Sequence, residues 1–84
     1  MAEDSQKRLQ FLQGLIASLK KIEGEQQTTI EHIAKLQVEL QSEKKEALSN
    51  KIGDCFTNAS NNTQLLHEMI EEFQMEVNKL KAGA

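Results

Sequence analysis

Between Ile52 and Leu80 one series of positions recurs every seven residues: Ile52, Phe56, Ala59, Thr63, Leu66, Ile70, Phe73, Val77 and Leu80, separated alternately by four and three. At 3.6 residues per turn this spacing sets all nine side chains on one stripe of an α-helix, the geometry of a seam buried against another helix. Proline, the residue that most reliably interrupts a helix, is absent from all 84 residues. Long amphipathic helices packed on one another are therefore the expected fold.

Upstream, the stretch Leu9–Ile22 has a wider apolar face. One row runs Leu9, Leu12, Ile16, Leu19 and a second runs Phe11, Leu15, Ile22. A face this wide normally contacts two neighbours rather than one. Gly24, followed by the polar run Glu25–Thr29, marks a possible break, and Thr28 with Glu31 fits a capping box at a new helix start. The competing reading is an unbroken helix, because Glu23, Gln26, Ile30 and Ile33 carry the first row's phase through the gap. Farther on, Gln41–Glu46 is wholly polar.

The phase of the first half does not match that of the second, which reads best as a turn between them; a stutter in one unbroken helix is the alternative. Gly53 followed by Asp54 reads as a helix-ending glycine and the N-cap of the next helix. Thr57, Asn58 and Ser60–Thr63 are weak helix formers, which allows a loop over 54–62 with the strong helix starting near Asn62. The expectation is an all-α single domain over residues 1–84. It is either an antiparallel helical hairpin or a three-helix bundle, with coiled-coil-like packing and turns near Gly24 and Gly53.

Composition narrows the function classes. Only three Phe, no Trp and no Tyr occur, so a thick globular core is out of reach and elongated packing or burial shared between subunits is favoured. The net charge of −3 is concentrated in the last third, where two Lys face five acidic residues, a balance that repels phosphates and argues against nucleic acid. No apolar run approaches the length of a membrane span. Glu3 and Asp4 stand where a signal peptide would be basic, so a cytoplasmic setting is expected.

Candidate chemistry is sparse. His67 and Glu71 lie at i,i+4 and could share a metal, yet two ligands do not complete a site, so no metal and no cofactor is expected. Glu68, Glu71, Glu72 and Glu76 supply carboxylates, whereas acid–base catalysis needs a pocket that perturbs them. The single cysteine, Cys55, excludes an intramolecular disulfide; behind an Asp54 cap it would sit in the first turn of a helix, activated by the dipole, or packed and inert beside the turn. The four glycines never cluster into a phosphate loop. Gly14 interrupts a helical pattern, either to admit a neighbouring backbone or without consequence. Met69 and Met75, with Leu65 nearby, widen the apolar face of the last helix.

These observations point to a non-enzymatic protein–protein interaction module, a homo-oligomer or a hetero-complex built by helix packing. Its expected anchors are Leu12, Leu15, Ile16 and Leu19 in the first half and Leu66, Ile70, Phe73, Val77 and Leu80 in the second. In size, lack of proline and hairpin-like layout the chain resembles the small helical co-chaperones of bacterial type III secretion, a likeness of shape carried by no motif. That resemblance implies a chaperone-like adaptor shielding a helical partner. A third reading is a membrane-surface helix over Leu9–Lys21, flanked by Lys7, Arg8, Lys20 and Lys21.

Overall fold

Two helices account for nearly the whole chain. In the computed structural model, which describes residues 2–83, α1 spans Ala2–Gln41 and α2 spans Glu46–Gly83. They pack antiparallel into a hairpin with extents of 63 × 14 × 13 Å, and no strand occurs among the described residues. Glu3 and Asp4 occupy the first turn of α1 and Glu46 that of α2, where a negative charge faces the positive end of the helix dipole.

The seam follows the heptad arithmetic. Every member of the Ile52–Leu80 series is buried or half-buried, and so is the α1 series Leu9, Leu12, Ile16, Leu19, Glu23, Gln26, Ile30, Ile33. Leu12, Ile16, Ile70 and Val77 form the core cluster, with Leu9, Leu15, Leu19, Phe73 and Leu80 packed against it. Leu12 and Val77 lose essentially all solvent contact, and Ala59 and Leu66 are also buried.

The three-helix alternative and both glycine turns are corrected by the structure. Gly24 lies within α1 and Gly53 within α2, and neither has a positive φ. Thr28 does not cap a new helix. Its hydroxyl donates to the Gly24 carbonyl at 3.2 Å, and Thr29 does the same to Glu25 at 3.0 Å, the back-bonding of threonines inside a helix. The proposed loop over 54–62 is likewise helical, with the Thr63 hydroxyl donating to Ala59 at 3.1 Å. A glycine in a helix loses about 1 kcal/mol relative to alanine, which is too little to break a seam whose apolar residues continue on both sides.

The turn instead occupies the polar segment Ser42–Lys45. The Glu43 amide donates to the Leu40 carbonyl at 3.0 Å and the Ser42 hydroxyl to Glu39 at 2.9 Å, closing the end of α1. Lys44 then takes the left-handed conformation at φ 53°, and the Lys45 carbonyl receives the first amides of α2, from Leu48 and Ser49. A change of heptad phase locates a turn only to the interval between the last residue of one phase and the first of the next. Here that interval runs from Leu40 to Ile52, and the chain reverses at its polar end.

Candidate interaction face

The hairpin has two flanks, and they differ. Heptad steps on α1 place Arg8, Leu15, Ile22, Thr29 and Leu36 on one side of the seam, and steps on α2 place Glu76, Met69, Asn62, Cys55 and Leu48 on one side. That these are the same side is set by two contacts. Arg8 Nη2 donates to Glu76 Oε1 at 2.9 Å across the helices, and Ile22 shares a groove with Asn62 and Met69. Phe11, one turn from Arg8 and from Leu15, joins this flank with the Arg8 guanidinium 5.9 Å above its ring.

This flank is open to solvent and carries most of the exposed large apolar side chains. Phe11 is 58 % exposed and Leu65 56 %, with Ile22, Met69, Leu36 and Leu48 also exposed. Near its middle lies an open groove of about 280 Å³ lined by Ile22, Gln26, Asn62, Leu65, Leu66 and Met69. None of these six residues titrates. The side-chain oxygen Oε1 of Gln26 is buried there with no hydrogen-bond partner in the hairpin.

The other flank is polar. His67 bridges the helices at its edge, with Nε2 3.0 Å from Glu71 Oε1 and Nδ1 3.6 Å from Glu23 Oε2. Gln13, Lys20 and Gln27 on α1, with Gln74 and Lys81 on α2, continue it. One flank of the hairpin is thus mostly polar, and the opposite one exposes most of the large apolar side chains that the seam does not bury.

All nine expected anchors lie on or against the seam. Leu12, Ile16, Leu66, Ile70 and Val77 are buried between α1 and α2, while Leu15, Leu19, Phe73 and Leu80 are partly buried against that core. Their burial therefore holds the hairpin together, and the exposed flank is formed mainly by other residues, with Leu15 at its edge and Leu66 in its groove. Phe11 and Ile22 belong to the second apolar row of the first half, and Leu65 and Met69 to the widened face of the second. The signal was the excess width of both stripes over a single seam. Met75, at 57 % exposure, points away on the outer side of α2, as Val38 does on α1.

The remaining chemical candidates are placed plainly. No group of three or more His, Cys, Asp or Glu side chains is arranged to hold a metal among the described residues. Cys55 is exposed and well inside α2, so it is neither packed beside a turn nor in a first turn. A Cβ added at Gly14 would meet nothing within 4 Å, so no backbone approaches it within the hairpin. Glu68 accepts from Gln64 at 3.3 Å, and Glu76 pairs with Arg8, which leaves the carboxylates scattered along the helix rather than convergent. No described helix is long and apolar enough to cross a membrane.

Compared with protein-family models, with curated proteins and with solved structures, the chain matches none.

Proposed function

We propose that the protein is a non-enzymatic interaction module, a rigid helical hairpin that docks a protein partner along its apolar flank. The observation that carries this reading is the exposure of Phe11, Ile22, Leu65 and Met69 on one side of a hairpin whose own seam is already closed by Leu12, Ile16, Ile70 and Val77. Contiguous apolar surface left in water by a folded chain marks an interaction surface more often than it serves the fold. Covering it recovers about 25 cal/mol for each Å² of apolar area removed from water.

The flank favours a helical partner. A groove between two antiparallel helices accepts the ridge of a third, with anchors spaced three and four apart. Met69 adds an unbranched side chain that adapts to the ridge it meets. The lining of the groove speaks for binding rather than catalysis, since acid–base work requires titratable groups converging on a concave site.

Affinity purification of tagged chain from its source cells tests this reading, run with the wild type beside Leu65→Lys/Met69→Lys. A protein partner recovered by the wild type and lost by the double variant is the expected result. Identical recovery by both, with the solution mass of the chain also unchanged, removes the flank as an interaction surface.

A further inference from the structure

We infer that the apolar flank is covered by a second copy of this chain, related by a two-fold axis along the hairpin's long axis, to form a four-helix bundle with both turns at one end. This deepens the interaction reading above, on which it rests, by naming the partner.

Area is the first argument. The face is 63 Å long and 14 Å wide, so a contact along its whole length is on the scale of the roughly 800 Å² per partner of a standard stable interface. A single short helix laid in the groove would cover only part of it.

Register is the second. At the heights set by the Arg8–Glu76 pair, Leu15 stands level with Met69 and Leu36 with Leu48, while Ile22 stands level with Asn62, beside Leu65, and Thr29 with Cys55. Rotation about the long axis lays α1 of one copy on α2 of the other without changing height, so Leu15 meets Met69, Leu36 meets Leu48, and Ile22 meets the turn of Asn62 and Leu65. Rotation about a perpendicular axis would lay the Phe11–Leu15 end over Thr29, His32 and Lys51 instead. Each isologous contact is made twice, which doubles any advantage of the matched register.

Charge is the third. At the end where the chain begins and finishes, α1 brings Asp4 and Arg8 to this flank, and α2 brings Lys79 and Glu76. The long-axis rotation sets Asp4 of one copy toward Lys79 of the other, and Arg8 toward Glu76, so opposite signs face each other at the rim. The groove, with the unpartnered Gln26 oxygen, lies at the middle of the interface, facing the second copy's Asn62 region, which carries amide donors.

The test uses the full purified chain. Light scattering across a concentration series is expected to give twice the 9.5 kDa chain mass. Leu65→Glu/Met69→Glu changes side chains exposed in the hairpin and is expected to give a monomer of unchanged helicity by circular dichroism. Val38→Glu/Met75→Glu, exposed but off the flank, stays dimeric. Should the first variant lose helicity, Phe11→Glu at 58 % exposure takes its place. Spin labels on Ser42→Cys in a Cys55→Ser background then report the axis: a short distance places both turns together, whereas a separation near the 63 Å length of the hairpin overturns the long-axis arrangement. A chain monomeric at every concentration, or a dimer indifferent to Leu65→Glu/Met69→Glu, overturns the second copy as occupant. Partner recovery that still depends on the flank would then leave the interaction reading standing, and binding of the monomer to phosphatidylserine-containing vesicles would assign the flank to a lipid surface.

Discussion

The end of the hairpin that holds the termini and the end that holds the turn are built from the same heptad but not to the same density. Toward the termini the seam closes over Leu12, Ile16, Leu66, Ile70 and Val77, and the helices are tied by the Arg8–Glu76 pair. Toward the turn, Ile30, Ile33, Ile52 and Phe56 are only half-buried, Ala59 is the one buried apolar residue among those described, and Leu36, Val38 and Leu48 are exposed. Between the two lies a polar layer of Glu23, Gln26 and Thr63. Periodicity sets where a helix must be covered; contact across the seam sets how well it is covered, and here the buried apolar cluster gathers at one end.

The largest effect should come from asking whether that difference in burial is a difference in energy. Leu12→Ala, at a side chain with no solvent contact, should destabilise the hairpin by about 2–5 kcal/mol, while Ile33→Ala on the half-buried side should lose about 1 kcal/mol. Urea denaturation of the two variants checks it, and equal losses would break the comparison.

Next, the loose half should be improvable. Gly53 and Gly24 are helical, and a Cβ at either would meet nothing within 4 Å. Each Gly→Ala change should therefore stabilise by about 1 kcal/mol. Native-state hydrogen exchange should also show slower opening around residue 53 in Gly53→Ala, since the least packed segment opens first.

At the turn itself Lys44 holds a left-handed φ of 53°. Glycine adopts that conformation without a Cβ penalty, so Lys44→Gly should raise the denaturation midpoint by an amount worth about 0.5–1 kcal/mol. A loss of stability would mean that the turn does not depend on that backbone angle. The smallest effect belongs to the tie at the other end. Arg8 and Glu76 are each nearly half exposed, so a double-mutant cycle with alanines should return a coupling of about 0.2–1 kcal/mol, diminishing with added salt.

Much of the architecture could be read from residue order. All nine positions of the Ile52–Leu80 series lie on the seam, as does the row through Leu9, Leu12, Ile16 and Leu19, because a helix exposes only one stripe to a neighbour. The turn was not readable in the same way. Gly24 and Gly53 carry strong local signals for breaking a helix, yet each signal is worth only about 1 kcal/mol, and apolar burial continuing on both sides outweighs it. Lys44, which makes the turn, belongs to a residue type with no preference for that conformation. The exposed flank was half readable: Phe11, Leu15 and Ile22 stood out as a second row, and Leu65 and Met69 as a widening. Which of the two rows would close the hairpin could not be told from either helix alone.

Residue order by itself thus determined that this chain forms proline-free amphipathic helices with a heptad stripe to bury, because period and side-chain chemistry are local properties. Only the tertiary arrangement decided where the chain reverses and which apolar rows cover each other. Those choices depend on the register of one helix against the other, a relation between distant residues that leaves Phe11, Ile22, Leu65 and Met69 together on the same open side.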